Sequence, residues 1–446
     1  LDIAIIGAGI SGLGAAHALQ QRHRVVVFEQ DARAGGHTNT IEVPTPAGPQ
    51  PIDTGWIVFN AQNYPNLAAL FAELDVPVRP TRMSFSVSLG DGAYEWRGSD
   101  NPLSFFAQPG NLLRPAHWRL LRDILALNAR CRKLLREDRL PDGTLGAFLD
   151  AQGFGGELRS RYLLPMAGLI WSCSPAEAAE YPAADFMRFF EAHGLFSTMN
   201  QPCWNTVVGG SQVYVRRLLQ RFAGTLRLAT PVRRVERAAD GVRVHSAAGV
   251  ERFDAVISAV HADQALRLLG AADDTERRVL RGIPYTRSRC VLHTDRSFLP
   301  RRRFAWASWN YLHPRDEVHR EPISGSYWMN QLQGIASETP YIVTLNPRRP
   351  IAAAQVLYET DYEHPFYGPA SVDTHRDLSA MQGRGGLWWA GAWTGFGFHE
   401  DGLKSALAVV ARLDPHCLPT WAVLGAAPSP AAAAPAAGAL HAVAVP

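Results

Sequence analysis

The chain has 446 residues, 47% of them hydrophobic and 19% charged, with a formal net charge of +3. That length accommodates two domains and a large core, while the composition excludes a disordered chain and no apolar run reaches the ~18 residues of a membrane span. The small charge argues against nucleic acid as a partner, and five cysteines without a CxxC pair read as reduced thiols of a cytoplasmic protein.

The chain opens on Leu1-Asp2-Ile3, directly into an apolar run of buried parallel-strand type, and no signal peptide is expected. Gly7, Gly9 and Gly12 follow in GxGxxG spacing. Gly7 permits a tight turn, Gly9 lets backbone approach a pyrophosphate, and Gly12 allows the next helix to pack closely. Ile10 and Ser11 open that helix, whose free N–H groups and dipole favour phosphate. Val25 to Phe28 forms a second strand, ended by Glu29 22 residues after Gly7 and followed by Gln30. An acid there accepts hydrogen bonds from ribose hydroxyls. This strand, turn, helix, strand and acid predict a dinucleotide site and leave NAD or FAD open. In "EQDARAGGHTNT", Arg33, Gly35, Gly36 and His37 then bring a second glycine turn and a cation back to the same phosphates.

Farther along, Met83 to Trp96 alternates around "GDG" and predicts a hairpin. Trp118 to Leu135 carries Leu121, Ile124, Leu125 and Leu135 at helical spacing. The basic cluster Arg130, Arg132, Lys133, Arg136 and Arg139 reads as a solvated helix face or as a peripheral docking surface for anionic lipid. Helices are expected over Arg159–Trp171 and Ala183–Phe190, and another after the paired glycines of "VVGGSQVYVRRLLQRF". Strands are expected over Phe253–Val260, Cys290–Thr294, Phe304–Asn310, Gly325–Asn330 and Tyr341–Leu345, and Leu387 to Ala390 leads into a last helix. Beyond Leu413 the Ala/Pro-rich segment cannot build a core.

"EQDARAGGH" resembles the E-x-x-x-R-x-G-G-[RH] signature of the flavin amine oxidase and phytoene desaturase superfamily. "IDTG" (Ile52 to Gly55) resembles its D-x-G loop, and "AGAWTGFGFHEDGLKSA" (Ala390 to Ala406) its C-terminal flavin segment. The resemblance covers roughly residues 1 to 410 and implies FAD rather than NAD. It implies flavin contacts at Thr54, Gly55 and Trp56, adenine contact through the Val232 backbone, and further contacts at Ser258, Gly391, Thr394, Gly402, Leu403 and Ser405. Within the superfamily, "GGHTNT", "DTGWIVFN" and "FGFHEDG" look closest to a bacterial group whose genes accompany cyclopropane-fatty-acyl-synthase-like methyltransferases. The expected fold is α/β: a Rossmann-like FAD-binding domain of glutathione-reductase type, with an inserted α+β substrate domain of mixed sheet and helices. Residues 1–75, 206–275 and 380–415 are assigned to the first, 76–205 and 276–379 to the second, and 416–446 to a tail.

One dinucleotide loop without a second one implies that an organic substrate reduces the flavin, with oxygen as a candidate acceptor. No metal motif is recognised. The resemblance puts Arg289 in the register of a lysine that many amine oxidases carry at flavin N5, and Ala392 replaces a common glutamate. Arginine does not substitute for lysine there, which weighs against amine oxidation. Trp56, Trp306, Trp309, Tyr327, Trp328, Trp393, Phe396 and Phe398 could line an apolar channel or only pack a core. The leading expectation is desaturation or isomerisation of a long, modified fatty-acyl chain. His399 is the expected base and Asp401 its acidic neighbour; a cap at the helix entrance is the alternative for His399. Amine oxidation is the second reading, and a non-catalytic flavin-binding escort the third.

Overall fold

The computed structural model describes residues 1–99, 101–197, 202–313, 323–367 and 369–425. The elements that position the site are, in chain order, β1 (Asp2–Ile6), α1 (Ile10–Leu19), β2 (Arg24–Phe28), α2 (Pro65–Glu73), α3 (Pro115–Arg136), β3 (Thr225–Arg227), β4 (Ala255–Ser258), β5 (Tyr285–His293), β6 (Leu387–Trp389) and α4 (His399–Leu413).

β1 is the middle strand of a five-stranded parallel sheet of order β3-β2-β1-β4-β6. Ile3 pairs with Val25 on one side and Ala255 on the other. Strands covered on both faces need apolar residues at every position, hence the unbroken runs at Ile3–Ile6 and Val25–Phe28. Alternation then divides them. Ile3, Ile5, Val25, Val27 and Ile257 face α1 and α4, whereas Ala4, Ile6, Val26, Phe28 and Val256 join a second core with the helical lobe. The first core draws on residues 3–78, 204–259 and 388–422, so both ends and the middle of the chain build one unit. α1 is buried on nearly every side, and Gly14 lets α4 close on it: a Cβ there would lie 2.6 Å from Leu403 Cδ1.

A seven-stranded sheet forms the second layer, in spatial order Val356–Pro365, β5, Ile342–Leu345, Gly325–Trp328, Trp309–His313, Phe85–Leu89, Tyr94–Gly98. Only the Trp309–His313 and Phe85–Leu89 pair is parallel, so the sheet is mixed. The hairpin expected at "GDG" is Phe85–Leu89 with Tyr94–Gly98.

Several expectations shift. α3 exists, but its buried stripe is Leu120, Ile124, Leu127, Cys131 and Leu134, and Leu125 is 49% exposed. Phe304–Asn310 is not a strand: a 3-10 turn covers Arg303–Ala305, and pairing starts at Trp309. The strand Val356–Pro365 was not expected at all. The tail begins later than residue 416. Cys417 is buried in the first core, Trp421 Nε1 donates to Glu73, and Val423 N donates to Asn66 Oδ1 at 2.7 Å. Residues 426–446 of the expected tail lie outside the described residues. All five cysteines are free thiols, and among the described residues no helix is long and apolar enough to cross a membrane.

Candidate active site

Where β1 ends, the chain turns at Gly7 (φ +102°) and enters α1. Gly12 must lack a side chain, because its Cβ would lie 1.9 Å from the Gly7 carbonyl oxygen. The loop and helix therefore pack as one rigid piece, leaving the N–H groups of the first turn free for an anion. Glu29, at the end of β2, accepts from Ala8 N (2.8 Å) and Asp31 N (3.0 Å) and is 8% exposed. Those bonds fix its carboxylate at the loop. Arg33 donates to the carbonyls of Thr38 (3.0 Å) and Gly36 (2.8 Å), and has no carboxylate partner among the described residues. A Cβ at Gly9 would meet nothing within 4 Å, so the loop faces open space.

That space is a cavity of about 1130 Å³, larger than one drug-sized ligand needs. Gly7, Gly9, Ile10, Ser11, Glu29, Gln30, Arg33, Gly35, Gly36, His37, Thr54, Gly55, Trp56, Val232, Gly391 and His399 all line it. A fixed acid, a cation, a helix N-terminus and a side-chain-free cradle suit the ribose and diphosphate of a dinucleotide. The remaining volume suits a flavin ring and a substrate.

Other expected residues lie behind the wall. Gly12 and Gly402 are packing contacts, the latter against Ser11 and Ile10. Leu403 is fully buried in the first core. Ser258 is buried at the end of β4, and Ala259 and Val260 line the wall instead. Ser405 Oγ accepts from Gly391 N (2.9 Å) and Thr394 Oγ1 donates to Gly391 O (2.9 Å), so both residues hold Gly391 in place. Arg289 is wrongly placed by its register. On β5 it alternates outward, is half exposed, and pairs with Glu359 at 2.5 Å.

The run His399-Glu400-Asp401 is chiefly structural. Asp401 Oδ2 accepts from Phe396 N and Phe398 N, both at 3.0 Å, and burial raises its pKa to about 6. It caps the entrance of α4 and does not line the cavity. Glu400 accepts from Asn66 N (3.0 Å), Asn66 Nδ2 (2.7 Å) and Leu67 N (2.9 Å), capping α2. His399 reaches the cavity wall and stacks on Trp56 at 4.6 Å. Its Nε2 lies 3.0 Å from Thr38 Oγ1 and 3.2 Å from the Tyr214 hydroxyl, and burial pulls its pKa down to about 3. It is not the base poised near neutrality that the sequence suggested. Asp53 in the D-x-G loop is another cap: both its oxygens accept from Ser211 N, at 2.8 and 3.0 Å.

Sequence reasoning missed two histidines. His37, His261 and His364 all line the cavity, with ring centroids 6.0 Å (His37 to His261) and 5.3 Å (His37 to His364) apart. His261 stacks on Tyr285 at 4.5 Å, and its Nδ1 lies 3.5 Å from Glu363 Oε2. Burial lowers its pKa, while Asp263 and Glu363 push it back up. A signal was available for His261, which stands three residues beyond β4, where ligands gather in open parallel sheets. None marked His364, because its strand was missed.

Phe105, Phe106, Leu121, Ile124, Met166, Leu169 and Ile170 add an apolar share to the cavity lining. Of the expected aromatics, Trp56, Trp309, Tyr327, Trp393 and Phe398 contribute. Trp306, Trp328 and Phe396 do not; the two tryptophans, set nearly at right angles, both contact the Arg303 guanidinium, at 3.8 and 4.4 Å. Where no metal site was expected, His23, Asp414 and Cys417 come within 4.8 Å of one another. Asp414 already serves Arg22 and His23 there.

The family model for flavin containing amine oxidoreductase matches residues 10–346. A protein of Mycobacterium tuberculosis (strain ATCC 25618 / H37Rv), "Putative flavin-containing monoamine oxidase AofH", is 29% identical over 273 residues, 58% of this chain. The match spans 57% of that relative's length. The CLA-producing fatty acid isomerase from P. acnes has the same fold (TM-score 0.66, 16% identity, 93% of this chain and 98% of that one). So does cyclohexylamine oxidase from Brevibacterium oxydans IH-35A (TM-score 0.64, 18% identity, 93% and 99%). With its nucleotide cradle and that match over most of its length, the chain belongs to the flavin-containing amine oxidoreductase family.

Proposed function

We propose that this enzyme oxidises or isomerises a long apolar chain of the fatty-acyl type, with oxygen as acceptor when the net reaction is an oxidation. The observation that carries this reading is the apolar share of the lining, Phe105, Phe106, Leu121, Ile124, Met166, Leu169 and Ile170, in a cavity of about 1130 Å³. Glu29 binds the ribose, Arg33 and the first turn of α1 bind the diphosphate, and Val232 borders the adenine. When bound, FAD supplies a hydride acceptor at its isoalloxazine ring. A fatty acid isomerase and an amine oxidase share the fold, so the fold does not choose between their substrates.

Removing hydride from an alkyl carbon leaves a C=C bond only if the adjacent carbon also loses a proton. His261 is the proposed acceptor: it lines the cavity and has the Glu363 carboxylate beside it to stabilise the imidazolium. His37 and His364 have no such carboxylate described, and burial depresses both, His364 to about 4. In an isomerisation, both hydrogens return to different carbons and no acceptor is consumed.

The test is anaerobic flavin bleaching and product analysis with long-chain unsaturated fatty acids and with primary and secondary amines. Acyl chains should bleach the flavin or emerge with moved double bonds, and His261→Gln should slow this by about 100-fold with normal FAD content. Bleaching by amines alone would establish the amine oxidase reading. An unreactive flavin with every substrate would favour an escort role.

A further inference from the structure

Large apolar side chains crowd one small region of the surface. Between residues 103 and 125, Leu103 is 71% exposed, Leu112 51%, Leu113 88%, Trp118 47% and Leu125 49%. The other exposed large hydrophobics are spread over the rest of the chain. Single exposed leucines need no explanation, but a contiguous group does.

The group is held outward by structure. Leu103 sits on the 3-10 turn Pro102–Phe106, where Asn101 Oδ1 accepts from its N–H at 3.0 Å. Leu112 and Leu113 sit on the turn Pro109–Leu113, anchored by Asn111 Nδ2 donating to Glu95 O at 2.8 Å. Trp118 Nε1 donates to Leu112 O at 2.9 Å, joining that turn to α3. Along α3, Trp118, Arg122, Leu125, Ala129 and Arg136 recur on the solvent side, opposite the buried stripe. Apolar and cationic residues therefore share one exposed face.

Charge selects the occupant. Residues 101–136 contain seven cations and a single acid, Asp123; Arg119, Arg122, Arg132 and Lys133 pair with Glu157, Asp123, Glu191 and Glu137. Arg114, Arg130 and Arg136 have no carboxylate partner among the described residues. A second copy docking by the same face would bring two such surfaces together and repel. An anionic lipid surface instead attracts the arginines, whose stems can lie along apolar groups while their heads stay hydrated. Leucines projecting from tight turns and a tryptophan beside them are the side chains that enter a bilayer interface.

The face is also the rim of the cavity. Leu125 is both half exposed and a lining residue, and Phe105, Phe106 and Leu121 line the cavity from the same two elements. We propose that this face docks on an anionic lipid bilayer, inserting Leu113 and Trp118 and presenting the cavity mouth to the acyl chains. The proposal rests on the apolar-substrate reading for its purpose, but its test does not.

Purified FAD-loaded protein is sedimented with phosphatidylcholine vesicles, with and without phosphatidylglycerol. Binding should require phosphatidylglycerol and weaken with salt. Leu113→Asp and Trp118→Ser lie outside the cavity lining, so FAD content should be unchanged; Leu113→Asp should keep the thermal midpoint, and Trp118→Ser should lower it slightly by losing its bond to Leu112 O. Each should nevertheless lose about ten-fold in partitioning. Arg122→Glu should lose several-fold, with a weaker salt dependence. Wild-type partitioning in all three variants would overturn the proposal. So would a concentration-dependent dimer abolished by Leu113→Asp, which would assign the face to a second copy. If vesicles bind as expected but no acyl chain reacts, the docking surface stands and the substrate reading fails. If micellar acyl substrate reacts and no vesicle binds, the docking proposal falls alone.

Discussion

Replacing Asp401 separates a capping role from a chemical one. Its Oδ2 accepts the N–H groups of Phe396 and Phe398, both partly buried. Asp401→Ala orphans both donors, at ~1–2 kcal/mol each, so about 2–4 kcal/mol of stability should be lost at pH 7. Asp401→Asn keeps an oxygen able to accept both bonds and removes a buried charge. Burial lifts the native pKa from an ordinary 3.8 to about 6, which corresponds to ~3 kcal/mol against the ionised form. The native state then holds this proton more tightly than the unfolded state. Its stabilising contribution is complete below pH 3.8 and is lost as pH rises through about 6. Urea titrations at pH 4, 5, 6 and 7 should show wild type losing stability relative to Asp401→Asn across that window, with the asparagine variant within ~1 kcal/mol of wild type or above it at pH 7. Flavin content and bleaching should persist in Asp401→Asn. A stable, FAD-loaded Asp401→Asn that no longer reduces its flavin would refute the capping argument and return Asp401 to the chemistry.

Glu29→Ala and Arg33→Ala should each lower FAD occupancy after gel filtration, because one removes the ribose acceptor and the other a diphosphate cation; unchanged flavin absorbance in both would reject the cradle assignment. His399→Gln should retain flavin reduction within a few-fold of wild type, since an imidazole with a pKa of about 3 contributes little as a base; loss of reduction with normal FAD content would contradict this. Arg289→Ala should change unfolding free energy by under ~1 kcal/mol and leave turnover unchanged, as its ion pair with Glu359 is exposed; stopped-flow bleaching checks the second half. Truncation after Leu413 should destabilise the protein, because Cys417, Trp421 and Val423 pack against the first core and α2; an unchanged thermal midpoint would show those contacts to be idle.

The cofactor cradle was legible because its constraints are local. Gly7, Gly12 and Glu29 lie within one strand-helix-strand unit, where Gly7 is dictated by its φ of +102°, Gly12 by its clash with the Gly7 carbonyl and Glu29 by its bond from Ala8 N. Much of the substrate layer was less so. Over residues 356–361 the strand Val356–Pro365 alternates half-buried Val356, Tyr358 and Thr360 with exposed Leu357, Glu359 and Asp361, a pattern that lacks the apolar run of an interior strand. It is an edge strand, paired only with β5, and edges carry charge. Missing it hid His364 and the carboxylate beside His261. Arg289 failed for a related reason. Matching a register along β5 cannot say which face a residue takes until the partner strands are known, and one position decides between cavity and solvent.

His399-Glu400-Asp401 carries the sharper lesson. Three titratable residues beside a flavin segment look like chemistry when only their neighbours in sequence are visible. Their partners are Thr38, Tyr214, Asn66, Leu67, Phe396 and Phe398, most of them hundreds of residues away. Glu400 fixes α2 to α4, Asp401 shapes the turn into α4, and His399 joins the Thr38 loop to the same helix entrance. His399 also stacks on Trp56 at the cavity wall, so the run acts on the site by fixing the elements around it. Polar groups at a helix N-terminus are there first to satisfy its free N–H donors. A chemical role needs a polar atom left over and aimed into the cavity. At the cavity wall His37 Nε2, His261 Nδ1 and His364 Nδ1 are left over, with no hydrogen-bond partner among the described residues, and of the three His261 has the Glu363 carboxylate beside it.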